Sequence, residues 1–427
     1  MSSDSVSRRS FLTKSVGSAA AFQIIRPELV RGAADEKLKA GLVGCGGRGT
    51  QAMENMLTAC PNVEIVAMAD VFEDRLEDSF RKSKALKPDL ASRFKVDGEH
   101  KFVGFDAYKK VIASGVDIVM LATHPAYRPL HFEAAIEAKK HVFCEKPFGT
   151  DPVGVRRFMA AAKKSVDLKL TVKSGAQRRS QEWYLDKYKR LKDGEYGDLV
   201  ALNANWVGTP VLNFNSALFP NHKRDPKWGD LEWQHRNWYS FVWICGDQIV
   251  EQHLHNIDVC NWFMGTHPVE VTASGGAAWR PREEEYGNIF DHVHADFVYP
   301  NGVHMASHCR QFNNPAAQNV SERLVGTKGV IDSGDLRGAR LARNPYEQEH
   351  ADMVASILGK GPYINESMAV AETTMTCIMG REAAYSGLKI TWDMIMNSQL
   401  DLLPKNFDYK ATHPVTPLPV PGKYKFV

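Results

Sequence analysis

Two short stretches of this chain hold residues whose types and spacing suit catalysis. Glu145-Lys146-Pro147 follows a brief β-forming run, His141 to Cys144. Ligands of open α/β sheets bind at the carboxyl ends of strands. A lysine placed there can hold a substrate hydroxyl or help move its proton. The second stretch is Gly246 to Trp262. On one helix, Asp247, Glu251, His255, Asp258 and Trp262 would fall on a single stripe. A histidine between two carboxylates suits a general base, because the carboxylates can orient the imidazole and raise its pKa. Glu251 and His255, one helical turn apart, could instead ligate a metal ion. His253 and His255 would point different ways, and no HExxH or Cys/His cluster is present, so no metal is expected.

A third stretch says what binds beside them. The apolar run Leu38 to Val43 leads into Gly44-Cys45-Gly46-Gly47-Arg48-Gly49, and a helix-compatible run, Thr50 to Thr58, follows. The pattern G-x-G-x-x-G falls on Gly44, Gly46 and Gly49. Gly44 permits the tight turn, Gly46 lets backbone approach a pyrophosphate, and Gly49 lets helix and strand pack closely. The helix N-terminus faces the phosphate charge. A second apolar run, Val63 to Ala69, ends in Asp70, about 20 residues on. A carboxylate there can accept hydrogen bonds from the ribose hydroxyls of NAD and repel a 2′-phosphate, so NAD is expected rather than NADP.

These residues need elements to position them. Strand-like and helix-like runs alternate to about residue 173: Val116 to Ala122, the helix Leu130 to Lys139, His141 to Cys144, the helix Val153 to Lys164, then Leu168 to Lys173. Such alternation implies a doubly wound parallel sheet. The character then changes. Eight of the nine tryptophans lie between Trp183 and Trp279, and residues 208–237 read as a long ordered loop. Strand-like runs follow at Val269 to Ala273, His292 to Tyr299, Val303 to Cys309 and Glu322 to Val325, with Pro300-Asn301-Gly302 as a hairpin turn. A late helix, Ser367 to Ser386, and a Pro-rich tail close the chain. The fold class expected is α/β: an N-terminal Rossmann domain over 36–173, then an α+β domain over 174–427 with a large, mostly antiparallel sheet.

The bulk numbers fit such an enzyme. The chain has 427 residues, 44% hydrophobic and 24% charged, with a formal net charge of +3. Removing the first 34 residues balances the charges, so neither nucleic acid nor a membrane surface is expected as a partner. No apolar run is long enough to span a bilayer. Ser7-Arg8-Arg9-Ser10-Phe11-Leu12-Thr13-Lys14 resembles a twin-arginine signal, with a weakly apolar stretch from Val16 to Ile25 and small residues at Gly32-Ala33-Ala34. Residues 1–34 are therefore read as an export signal and the protein as periplasmic or exported. Seven scattered cysteines without a C-x-x-C pair argue against a disulfide framework and read as small buried hydrophobes.

In order and spacing, the glycine turn, Asp70, Glu145-Lys146-Pro147 and His255-x-x-Asp258 resemble the motifs of the Gfo/Idh/MocA oxidoreductases. The likeness runs from about Lys37 to the C-terminus. It implies oxidation of a secondary alcohol of a sugar or cyclitol, with NAD(P) taking the hydride, in a homo-oligomer, dimer or tetramer. It also implies that Lys146 contacts the reacting hydroxyl and that His255 is the base. Inositol-dehydrogenase-like members often carry Asp four residues before that histidine; here Glu251 stands there, and Asp258 matches the acid that follows. The expected cofactor set is Gly44, Gly46, Gly47, Arg48, Gly49, Asp70, Thr123, His124, Glu145 and Lys146. Arg178, Arg236, Trp206 and Trp238 are the substrate candidates. Two other readings stay open. Some exported relatives are NAD-dependent glycosidases that oxidise, eliminate, hydrate and re-reduce within one turnover. A non-catalytic sugar-binding protein would have little use for both Lys146 and His255.

Overall fold

The computed structural model describes residues 37–210, 224–312, 318–336 and 341–427. The export signal read at 1–34 and residues 211–223 of the Trp-rich loop lie outside them. The first half forms six strands: β1 (Leu38–Val43), β2 (Val63–Asp70), β3 (Lys101–Val103), β4 (Ile118–Leu121), β5 (His141–Cys144) and β6 (Val172–Ser174). All five pairings are parallel, in the order β3-β2-β1-β4-β5-β6. Burial on both faces explains the unbroken apolar strands. Along β4 the side chains alternate: Ile118 and Met120 join Ala52, Met53 and Met56 of the Gly47–Ala59 helix, while Val119 and Leu121 join Phe132, Val155 and Phe158.

The order in which strands are added reverses between β1 and β4, the switch point where such folds bind nucleotides. The glycine turn follows β1, Thr123-His124 follow β4 and Glu145-Lys146 follow β5, so all three sit at the carboxyl edge.

The second sheet has seven strands: β7 (Leu199–Gly208), β8 (Glu270–Gly276), β9 (His292–Val298), β10 (His304–Gln311), β11 (Asn319–Gly326), β12 (Val330–Asp332) and β13 (Ile390–Thr391). Their order is β12-β11-β7-β10-β9-β8-β13. Every pairing is antiparallel except β7 with β10. β9 and β10 form the expected hairpin. The helix Ser367–Ser386 lies against this sheet, with seventeen of its residues buried. Four strands go unmarked in the sequence: β3, β12 and β13 are only two or three residues long, and in β7 Asn203 and Asn205 interrupt the apolar run. Part of the expected Trp-rich loop is a helix, Asp230–Arg236. The helix Pro345–Ile357, late in the chain, returns to the first sheet, where Met353 and Val354 join the cluster that holds Met53 and Met56. All seven cysteines are buried and free. Among the described residues, no helix is long and apolar enough to cross a membrane.

The expected single helix from Asp247 to Trp262 is broken. The segment falls into Gln248–Glu251 and Leu254–Met264, parted at Gln252-His253, while Asp247 stands before both pieces with φ 81°, following Gly246 at φ 86°. The Asp247 carboxylate caps the first piece at Gln248 N (2.5 Å) and takes further bonds from Phe290 N (2.8 Å) and the Tyr385 hydroxyl. Asp247 is thus a structural anchor, turned away from the stripe the spacing suggested.

Candidate active site

At the turn after β1, sterics fix the glycines. Gly44 has φ 100°, and a Cβ there would stand 2.5 Å from the Ala122 carbonyl carbon at the end of β4. A Cβ on Gly49 would overlap the Gly44 carbonyl oxygen, so this glycine lets the helix reach the strand. At Gly46 and Gly47 the reverse holds: an added Cβ meets nothing within 4 Å. That open space lies at the helix N-terminus, where no side chain caps the first amides. A pyrophosphate fits such a cradle, bare amides facing a charge. Asp70 stands beside it, its two oxygens taking bonds from Cys45 N (2.6 Å) and Phe72 N (2.9 Å). Each oxygen keeps a lone pair for a ribose hydroxyl. These residues fit NAD.

Beyond the turn, the cofactor candidates do two kinds of work. The Thr123 hydroxyl meets His131 Nδ1 at 3.2 Å, and the His124 ring packs on Trp238 with centroids 5.3 Å apart. Arg48 turns into a buried acid cluster. Its Nε reaches Glu145 Oε1 at 2.5 Å, its Nη2 reaches Glu349 Oε1 at 3.2 Å, and it lies over the Tyr346 ring. Gly175 leaves room for the Glu145 carboxylate, which a Cβ would overlap. Burial, then Glu145, push the Glu349 carboxyl well above the usual range. Glu349 and Tyr346 escaped the sequence reading; they stand some 300 positions from Arg48, and no local pattern marks them.

Lys146 is buried. Its Nζ donates to the Glu251 carbonyl (2.6 Å) and to Glu251 Oε1 (3.1 Å). An ammonium has three donors, so one remains. Lys146 and Glu251, both candidates from the sequence, are in contact. His255 is also near this pair, and its electrostatics differ from expectation. Burial first, then the cations Lys146, Arg178 and Arg48, hold its pKa well below the ordinary imidazole value. The carboxylates that were to raise it are engaged elsewhere: Glu251 with Lys146, and Asp258 with Arg179 in a bidentate pair at 2.8 Å, plus a bond from Thr373. His255 is neutral at pH 7, and its buried Nδ1 has no protein partner. The Trp206 ring lies 25° from parallel to it, with centroids 6.1 Å apart.

The substrate candidates separate. Trp206 and Arg178 come to the His255 side, but Arg178 is tied to Glu322, which also takes bonds from Tyr184 and Asn256. Trp238 sits at His124. Arg236 goes to the nucleotide end: it pairs with Asp74 and Glu232 and lies 4.0 Å over the Phe72 ring. Other buried atoms near Lys146 and Arg48 lack partners: Glu251 Oε2, and Gln177 Oε1, whose amide nitrogen donates to Tyr346. Among the described residues, no group of three or more His, Cys, Asp or Glu could hold a metal.

Comparison with known proteins agrees with this geometry. Residues 38–173 match the oxidoreductase family with an NAD-binding Rossmann fold, and residues 186–332 match the GFO/IDH/MocA C-terminal domain. The chain is 21% identical to scyllo-inositol 2-dehydrogenase (NAD(+)) of Bacillus subtilis, over 71% of this chain and 75% of that protein. It is 26% identical to myo-inositol 2-dehydrogenase of Thermotoga maritima, over 60% of this chain and 62% of that one. In fold it resembles scyllo-inositol dehydrogenase of Lactobacillus casei with bound NAD(H) and scyllo-inositol. The TM-score is 0.64 at 17% identity, covering 83% of this chain and 99% of that one.

Proposed function

The chain belongs to the Gfo/Idh/MocA family of NAD-dependent oxidoreductases, and we propose that it oxidises a secondary hydroxyl of a cyclitol, a sugar or a sugar derivative. One observation carries the reading. A buried lysine and a neutral histidine share a site with unpartnered buried polar atoms on Glu251 and His255 itself, and Gln177 Oε1 is unpartnered beside Tyr346. Buried polar groups without partners are costly, and the hydroxyls of a polyol can satisfy many at once. The named relatives act on inositols, which have that chemistry.

Bound NAD supplies the hydride acceptor. The residues supply the rest. The third Lys146 donor bonds the reacting oxygen and stabilises negative charge as it develops there. Glu251 fixes the ammonium from two sides. Neutral His255 accepts the hydroxyl proton on its unpartnered nitrogen. The cations that depress its pKa also favour an alkoxide nearby, so the weak base and the polarised hydroxyl suit each other.

Purified protein should form NADH stoichiometrically from a free cyclitol or sugar. His255→Asn and Lys146→Met should each lower kcat by about a hundredfold or more, with bound NAD retained. Because the base works in its neutral form, kcat/KM should hold at pH 7 and fall only below the ordinary histidine range, and His255→Asn should remove that limb. Release of aglycone from aryl glycosides without net NADH would replace this reading with the redox-neutral hydrolase. Full activity in both variants would sink the site assignment.

A further inference from the structure

The last part of the chain reaches back to the nucleotide end of the first sheet. Tyr409 donates its hydroxyl to the Val71 carbonyl at 3.1 Å, one residue past Asp70. Its ring stacks on Phe72, with centroids 5.3 Å apart and planes 11° from parallel. Arg236 lies over the same Phe72 ring at 4.0 Å. Phe105, beyond β3, touches both Tyr409 (4.9 Å) and Phe407 (5.5 Å).

The segment is tied on both sides of this contact. Leu402 N donates to Asp151 Oδ2 (3.1 Å), His413 N donates to Asp230 Oδ2 (2.9 Å), and Gln234 Nε2 donates to the His413 carbonyl (2.5 Å). Gly229 permits the approach, since a Cβ there would overlap the Tyr409 carbonyl oxygen. The segment from Leu402 to His413 is therefore a strap, anchored at two ends and pressed against the strand end that carries the ribose-binding acid. The Tyr409 hydroxyl feels that acid: burial first, then the Asp70 carboxylate, push its pKa up.

We propose that this strap is part of the dinucleotide site, with Tyr409 and Arg236 walling its adenosine end beside Asp70. A ring held at Phe72 flanks whatever Asp70 holds by its ribose hydroxyls. A wall supplied by a strap must loosen before the nucleotide leaves, so it acts on the dissociation rate. Two anchored ends place the wall before the ligand arrives, which lowers the ordering cost of binding. The consequence is an NAD that exchanges only slowly with solution. Arg236, read from sequence as a substrate contact, becomes a cofactor-side residue.

The test follows release of NAD from the loaded protein, chased with excess unlabelled NAD. Tyr409→Ala should speed release by about tenfold or more, whereas Tyr409→Phe, which keeps the ring, should stay within about threefold of the parent. A purely structural tyrosine would lower the melting temperature of the nucleotide-free protein in Tyr409→Ala and leave release unchanged; that result overturns the proposal. A second measurement needs no variant. Amide exchange across 404–413 should slow by about fivefold or more when NAD binds the stripped parent, and equal exchange in both states also overturns it. A stripped parent that takes up no NAD at all would instead contradict the cofactor assignment.

Discussion

The Gly44–Gly49 turn and the Gly246–Trp262 segment both contribute to the proposed site, yet different forces hold them. The turn is held by sterics close by: the ends of β1, β2 and β4 and the first turn of one helix. Gly44 N bonds Ala69 O, Thr50 N bonds Gly46 O, and the contact that demands glycine at 49 is with Gly44 itself. The segment is held from far away. Asp247 is fixed by Phe290 and Tyr385, Glu251 by Lys146, His253 by Ser307, and Asn256 by Glu322. Asp258 is fixed by Arg179 and Thr373, and Asn261 by Tyr299. A locally determined motif survives changes elsewhere; a remotely determined one fails when any distant partner does.

Acid should separate the two most strongly. His253 is held down at about 3, by burial first, and His255 well below its ordinary value of 6.5. The glycine turn has no histidine. Below pH 6.5 the unfolded chain binds protons at these two positions and the native state does not, so stability falls as pH falls. Each histidine contributes about 1.4 kcal/mol per pH unit, or roughly 4 kcal/mol for both at pH 5. Amide protection in the Leu254–Met264 helix, corrected for intrinsic rates, should drop well before that in Gly47–Ala59. Equal loss in both helices would end the contrast.

Asp258→Asn comes next. It leaves the Arg179 guanidinium buried with one carboxylate fewer, a loss of about 3 kcal/mol or more by the measure of broken buried pairs. Denaturant midpoints would show it. NAD affinity, set at the turn, should stay within about twofold. Unchanged stability would mean that Asp258 belongs with the reacting groups after all.

The same contrast explains what could be read without coordinates. The glycine turn, Asp70, β5 and the Ser367–Ser386 helix were legible because their causes lie within a few residues: a turn that only glycine allows, a short β-forming run, an uninterrupted helical stretch ending at Gly387. The stripe from Asp247 to Trp262 was half legible. Its residue types were right for a buried polar site, but the periodicity assumed a continuous helix. The break at Gln252-His253, beside a Glu251 carbonyl that bonds the remote Lys146, was invisible to it, and so was the fixing of Asp247 by Phe290 and Tyr385. The His255 pKa was misjudged for the same reason: carboxylates near in sequence were counted, and the cations Lys146, Arg178 and Arg48, near only in space, were not. Glu349, Tyr346 and Tyr409 left no trace, since nothing about them is unusual until the chain folds back.

Within the turn itself, two glycines sharpen the comparison further. Gly49→Ala drives a methyl into the Gly44 carbonyl, a backbone atom that cannot swing aside. Overpacking of this kind costs about 2–3 kcal/mol, and NAD binding should be lost with the shape of the turn. Gly46→Ala is the opposite case. Its φ of −67° suits any residue, and its Cβ would meet nothing within 4 Å. Stability should change by less than about 0.5 kcal/mol, and the smaller unfolded ensemble could even raise it. The methyl would nonetheless project into the space where a pyrophosphate approaches the backbone, so calorimetric NAD affinity should fall by about tenfold or more. A Gly46→Ala protein that keeps both its stability and its NAD affinity would show that the phosphates sit elsewhere along the turn. One that keeps the first and loses the second would separate what glycine does for the fold at 49 from what it does for the ligand at 46.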